Sequence, residues 1–385
     1  MEPVTRRVFL KRAVSGVGGI MLAKSLGPNA SLAQQPPAEM SRVVVAEHAE
    51  ATDGVRVINA AKVQAMMDES IKQLTGEPSV ADAWAGLLPD FRKDHLIAIK
   101  VNTTYFLRTH TEVVDAMVTG LTAAGVPENN IIIYDQATQG MHALVQAGYK
   151  YNKSDVGVRC FGTFKRTAMK GAFFDGQAAV PEEGWGPDWD NPVDILGREM
   201  ALSTILTRCD HLINVPVLKA HIWNHTAVTL SLKNHLGSVN DPPRLHASYA
   251  TACATLNSQE AIKGKTRLVV IDSLFGAWSS MMVPAQFAPN SLIVTRDPVA
   301  ADYIGTEIIN EQRSKYKQPP RNVSLLLQKA AELGVGTNDP EKMELIKVEM
   351  GPPEEEEEKP EEEDEKAVEP THSYKTQWGQ IKTAH

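Results

Sequence analysis

The sequence predicts an α/β fold: a mostly parallel sheet with flanking helices, which the Gly/Pro/Trp-rich stretch 181–192 would divide into two lobes with a cleft between them. Two observations carry this expectation. Five short apolar runs rich in β-branched residues lie at 95–101, 131–134, 211–215, 267–272 and 291–295. They are near-continuous rather than alternating, as strands covered on both faces must be. Helical patterns lie between them, and strands alternating with helices favour a parallel sheet. The segment 111–124 carries Val113, Val114, Met117, Val118 and Leu121 on one stripe and stops at Gly125-Val126-Pro127. A second helix is expected over 198–208. A third is expected over 298–310, opened by Asp297 as N-cap and Pro298 at the first helical position. There is no internal repeat.

The composition is that of a soluble globular protein: 385 residues, 43% hydrophobic and 22% charged, with a net charge of −8. An acidic balance of this size argues against a nucleic-acid partner. Cys160, Cys209 and Cys253 permit at most one disulfide and show no C-x-x-C spacing, so each reads as a small buried apolar residue.

The charge is unevenly distributed. Residues 1–33 hold one acid against five basic side chains, a net +4, while 351–385 hold eleven acids against four lysines, a net −7. The 317 residues between them carry the remaining −5. Three segments are therefore expected: a leader over 1–33, an α/β domain over 34–350 and an acidic tail over 351–385. In the leader, Thr5-Arg6-Arg7-Val8-Phe9-Leu10-Lys11, the weakly apolar stretch 13–23 and the small residues Ser31-Leu32-Ala33 resemble the twin-arginine signal family. The resemblance implies export to the periplasm by the twin-arginine translocase, already folded, with the mature chain beginning near Gln34. The apolar stretch has eleven residues, well short of the roughly 20 that span a bilayer, so no stable membrane span is expected after cleavage. The tail has no apolar face and reads as a disordered solvating segment, with docking to a protein partner as its functional alternative.

Ligands of open α/β sheets bind beyond the carboxyl ends of the strands. Lys100, Asn102, Thr104 and Arg108 follow the first run, and Asp135 and His142 follow the second. Lys219, His221, His225, Lys233, Asn234, His235 and His246 follow the third, Asp272 the fourth, and Asp302 lies on the helix after the fifth. Lys100, Arg108 and Lys219 could bind an anion, with His142 and His221 as acid and base. Alternatively, His221, His225 and His235 could hold zinc, nickel or another transition metal, the first two sharing a face if their segment is helical. A single histidine in a Trp-containing loop is ordinarily just half-buried, as Trp185, Trp189 and Trp223 are ordinarily packing residues. It is the concentration of histidine and lysine between 211 and 246 that points to a functional cluster.

The motifs Asn214-Val-Pro-Val-Leu-Lys219-Ala-His221 and Thr229-Leu-Ser-Leu-Lys233-Asn234-His-Leu-Gly237 precede a later His246. With Ile99-Lys100-Val101-Asn102 before them and Thr295-Arg-Asp297-Pro298-Val-Ala-Ala-Asp302 after, they resemble the family called domain of unknown function 362, over about residues 90–310. Some members carry a ferredoxin-like cysteine module. This chain does not, so no iron–sulfur cluster is expected. The order also resembles the lactate racemase family, which uses a nickel-pincer nucleotide. Its motifs are similar to Ala124-Gly125-Val126-Pro127 and Ala137-Thr138-Gln139-Gly140-Met141-His142. That resemblance implies catalytic roles for His142, His221 and His246 and a nucleotide-like cofactor on Lys233; Lys219 is a further catalytic candidate from its place after the third run. Lys100, Asn102, Thr104, Arg108, Asn234, Asp272 and Asp302 complete the expected binding set. The racemases carry Ser-Gly-Gly-Ala before their lysine, where this chain has the bulkier Thr229-Leu-Ser-Leu. The sequence thus supports either a racemase-like or oxidoreductase-like enzyme acting on a small anion such as a hydroxy acid, or a non-catalytic ligand-binding or assembly protein.

Overall fold

All five apolar runs become strands of one nine-stranded sheet. The structure is a computed structural model and describes residues 40–136, 144–162, 164–165, 180–181, 185–223 and 225–351. The strands in chain order are β1 (Ser41–His48), β2 (Ile97–Val101), β3 (Ile131–Tyr134) and β4 (Arg159–Cys160). Two small ribbons follow, β5 (Phe164–Lys165) with β6 (Val180–Pro181), and β7 (Val193–Asp194) with β8 (Glu199–Met200). Then come β9 (His211–Val215), β10 (Val217–Lys219), β11 (Thr266–Ala277), β12 (Ser291–Thr295) and β13 (Met343–Met350).

The large sheet has the order β13-β1-β12-β11-β9-β2-β3-β4, with β10 also pairing β11. Only β12 runs antiparallel to its neighbours β1 and β11; every other pairing is parallel. The mostly parallel α/β fold is therefore as the sequence predicts. Two lobes are not found, because all the described residues belong to one compact unit.

Side chains alternate between the two sheet faces, and this alternation builds the site. Ile97, Ile99, Val101, Ile131 and Ile133 pack on one face, against the helices Ala60–Thr75 and Thr111–Ala123. Ala98, Ile132 and Leu212 pack on the other, with the helices Tyr249–Asn257 and Ser324–Glu332. Lys100 and Asn214 are even-numbered members of the second set, and the register pairs them across β2 and β9. Both must therefore meet whatever covers that face at the carboxyl ends of the strands.

The helix over 111–123 forms as expected, and the third helix runs further than expected, over Pro298–Lys315. Asp297 caps it as anticipated, its Oδ1 accepting from the Val299 and Ala300 amides at 2.8 and 2.9 Å. The second expected helix is largely wrong. Glu199–Met200 is a ribbon strand, and only Thr204–Arg208 is helical, starting where Ser203 Oγ accepts from the Ile205 amide. His221 is not helical and His225 lies in a turn, both between the bridged residues Ala220 and Val228. Cys160, Cys209 and Cys253 are free and buried, as expected of apolar fillers. Among the described residues no helix is long and apolar enough to cross a membrane. The leader over 1–33 and the tail beyond Gly351 lie outside the described residues.

Candidate functional site

The carboxyl ends of β2, β3 and β9 carry a network of buried polar side chains. Lys100 Nζ, 1% exposed, donates to Asp135 Oδ1 at 2.8 Å and Val101 O at 2.7 Å, with Asn234 Oδ1 at 3.4 Å. Asp135 is the first residue beyond β3, and its other oxygen accepts from the Thr103 amide and hydroxyl at 2.8 and 2.7 Å. Asn234, at the end of the short helix Ser231–Asn234, donates to Asn214 Oδ1 at 2.8 Å and Lys100 O at 3.2 Å. Asn102 Nδ2 donates to Asn234 Oδ1 at 3.1 Å. The pair Lys100–Asp135 lies so close to Gly237 that a Cβ there would sit 2.5 Å from Asp135 Oδ1 and 2.8 Å from Lys100 Nζ.

Lys219 completes the network. Its Nζ donates to Asn102 Oδ1, Thr104 O and Leu107 O at 2.9, 2.8 and 2.7 Å, one acceptor for each ammonium proton. Burial pushes its pKa down to about 7, against the opposing pull of Asp135. Burial likewise lowers the pKa of Lys100, with Asp135 again opposing. The loop 102–109 is thus folded around a cation, with Tyr105 held at φ 66°. Arg108, half-buried, clasps the same loop, donating to Tyr105 O and Gln146 O at 2.6 Å each.

The two candidate acids also hold backbone. Asp272 Oδ2 accepts from the His110 amide and lies 2.8 Å from His110 Nδ1. Burial acts to lower the His110 pKa, but the Asp272 charge outweighs it and the net shift is upward. Asp302 receives the Ser231 amide at 2.6 Å, the Leu232 amide at 3.2 Å and Ser231 Oγ at 2.5 Å, and burial raises its pKa to about 7. The structure therefore gathers Lys100, Asn102, Lys219 and Asn234 into one network, but as a scaffold whose donors are engaged within the protein. Asp272 and Asp302 stand in adjoining supports.

Lys233 differs from every other member. It is 8% exposed, and its Nζ has no hydrogen-bond partner. It lies 5.3 Å from the centre of the Tyr249 ring, and burial pushes its pKa down to about 7. His221 and His246 share its surroundings. His221 is pushed down to about 2, by burial first and then by Lys233, His246, His225 and Arg321, every one of these neighbours being cationic when charged. His246 is lowered by burial and then by Lys233. The Trp223 amide donates to His221 Nδ1 at 3.1 Å, leaving the proton of the neutral ring on Nε2. His246 Nδ1 lies 3.1 Å from Pro242 O, which can only accept, so its proton is on Nδ1 and its lone pair on Nε2. The two rings thus have opposite tautomers. Trp223 lies between them, 5.2 Å from His221 and 5.9 Å from His246, and it stacks on His225 at 5.6 Å. Exposure rises outward, from buried Lys233 and His221 through half-buried Trp223 and His246 to exposed His225.

The expected metal set is not assembled. Among the described residues no three His, Cys, Asp or Glu side chains are grouped to hold an ion. His235 faces Ser238, its Nδ1 3.3 Å from Oγ, and burial beside Lys100 pushes it down to about 3. His221 and His225 instead flank Trp223. His142 lies outside the described residues. A cavity of about 610 Å³ bounded by Thr111, Asp115, Tyr149, Asn152 and Cys160 is lined by none of the candidate residues. Sequence reading missed Tyr249 and Arg321, and left Asn214 and Asp135 outside its binding set, although Asn214 opens the motif that ends at His221 and Asp135 lies directly beyond a strand.

These features define an α/β protein with a buried cluster of lysine and histidine side chains at the carboxyl ends of its parallel strands. The match to known families is direct. The chain belongs to the family described as domain of unknown function (DUF362), whose model covers residues 93–307. No curated protein matches it. The strands β1 and β13 lie outside the matched span and close one edge of the sheet together, in parallel register from Ser41 with Met343 to His48 with Met350.

Proposed function

We propose that this protein is an exported enzyme that binds a small anion, such as a hydroxy or oxo carboxylate, at Lys233, His221 and His246. The observation that carries the reading is the unpartnered buried amine of this cluster: Lys233 Nζ has no hydrogen-bond partner, and no acid is among the groups that perturb His221 electrostatically. Isolated buried charge is costly unless it is paired, so a site of this kind favours an anionic occupant. The opposite tautomers of His221 and His246 suit a reaction that moves a proton, with His246 Nε2 as acceptor and His221 Nε2–H as donor. Isomerisation or oxidoreduction at a hydroxy-acid carbon is the reaction class that fits.

A tethered nucleotide-like cofactor fits less well. Thr229, Leu230, Ser231 and Leu232 are all buried, and Asp302 already binds the Ser231 and Leu232 amides. The twin-arginine-like leader supports export to the periplasm.

Two experiments test the reading. Thermal unfolding of the purified chain is followed with lactate, oxalate and phosphate. At least one is expected to raise the midpoint in wild type but not in Lys233→Met or His246→Gln; no shift with any of the three would refute the anion site. For export, replacing Arg6 and Arg7 with lysine is expected to retain the chain in the cytoplasm, and unchanged periplasmic yield would refute that part.

A further inference from the structure

Among the described residues three buried lysines approach the carboxyl ends of the strands, and one of them lacks an acceptor. Lys100 has Asp135, and Lys219 has three oxygen atoms. Lys233 has none. The only group that acts to raise its pKa is Cys253, whose own thiol burial pushes up to about 12 and so keeps neutral. An amine that is desolvated and without a counter-ion keeps its lone pair, which makes it a nucleophile. One side of it faces the flat Tyr249 ring; the neutral rings of His221 and His246 supply proton-transfer groups nearby, and Arg321, which acts on His221, supplies positive charge.

We propose that Lys233 forms a covalent imine with the carbonyl carbon of a 2-oxo acid. The inference rests on the anion site above and deepens it, since a 2-oxo acid brings both a carboxylate for the cationic cluster and an electrophile for the amine. The Nζ lone pair attacks the carbonyl carbon, and the proton that nitrogen sheds moves to the oxygen to give a carbinolamine. His246 Nε2 can relay that proton. Water then leaves as the carbon–nitrogen double bond forms, and hydrolysis reverses the sequence. No oxidant or reductant is consumed. The imine withdraws electrons from the adjacent carbon, which is the chemistry a proton transfer at that carbon requires.

The test uses pyruvate as the probe, with sodium cyanoborohydride to reduce any imine to a stable amine, on the full chain at neutral pH. Intact-mass and peptide mapping should find one adduct at Lys233, at least about tenfold above any exposed lysine, because exposed lysines are almost wholly protonated there. The adduct should be absent in Lys233→Met. That variant is expected to fold, because no acceptor loses its donor, and cooperative urea unfolding verifies this. Labelling confined to exposed lysines, or persisting at the same total level in folded Lys233→Met, overturns the proposal. Oxalate separates the two ideas, as it has no ketone or aldehyde carbonyl. If it stabilises wild type and not Lys233→Met while no adduct forms, the imine fails and the anion site stands. If neither oxalate nor pyruvate has any effect, both fail.

Discussion

Replacing a buried lysine with methionine should have opposite consequences at two positions of this site. Methionine matches much of the lysine stem and removes the ammonium. At Lys219 it deprives Thr104 O, Leu107 O and Asn102 Oδ1 of their donor, although Asn102 Oδ1 still accepts from the Thr104 amide at 3.2 Å. Two carbonyls therefore bear most of the loss. A hydrogen bond from a charged donor contributes about 1.5–3 kcal/mol, and a buried acceptor left unpaired costs about 1–3 kcal/mol. Relief from burying the charge offsets part of this. The expected net cost is about 2–4 kcal/mol, concentrated in the loop 102–109 that winds around Nζ.

At Lys233 the accounting reverses. No hydrogen bond is lost, because none is made, and the contact with the Tyr249 ring disappears, worth about 2 kcal/mol when the amine is charged and desolvated. Removing an unpaired buried ammonium returns several kcal/mol for any fraction that is protonated. Lys233→Met should therefore be neutral or more stable by up to about 2 kcal/mol. Urea unfolding measures both, with free energies compared through the midpoints if the slopes agree. Shifts of the same sign and similar size would refute the distinction between scaffold lysine and site lysine.

Three further outcomes follow from the same geometry. Gly237→Ala should cost roughly 2–4 kcal/mol in urea unfolding, because its Cβ would press on the Lys100–Asp135 pair, and the cost should shrink in an Asp135→Ala background. His211 accepts from Arg267 Nε at 3.1 Å, lies 3.2 Å from His95 Nδ1, and is pushed down to about 4 by burial and then by Arg267 and His95. The unfolded chain takes up that proton near pH 6.5. This contribution to stability is therefore complete above 6.5 and disappears as the pH falls towards 4, by up to about 3 kcal/mol. His211→Gln should flatten the decline in urea midpoint over that window. Asp297→Ala removes acceptors for the Val299, Ala300 and Thr337 amides and Ser41 Oγ. It should lower stability by about 2–3 kcal/mol in the same assay, and an unchanged midpoint would contradict its role as a cap.

The inner strands were legible because parallel strands buried on both faces leave an uninterrupted apolar run, as in β2, β9 and β12. The edge strand β13 was not, since Glu344, Lys347 and Glu349 break its pattern where one side meets solvent. The failed helix over 198–208 has a similar cause: the ribbon partner Val193–Asp194 and the Leu202–Val239 bridge claim its first half, and no local pattern announces a distant partner. The site shows the same division more sharply. Lysine and histidine between 211 and 246 marked the right region, but Lys100, Lys219 and Lys233 look alike in one dimension. What separates them is topology. Pairing of Lys100 with Asn214 brings Asn234 to β2, Asp135 arrives from the neighbouring strand to neutralise Lys100, and the loop after β2 bends its carbonyls back onto Lys219. Asp302, on the helix packed against this segment, holds the amides at the start of the helix that carries Lys233. The fold thus consumes its nearby acids in support, and the charge it leaves unanswered falls on one amine.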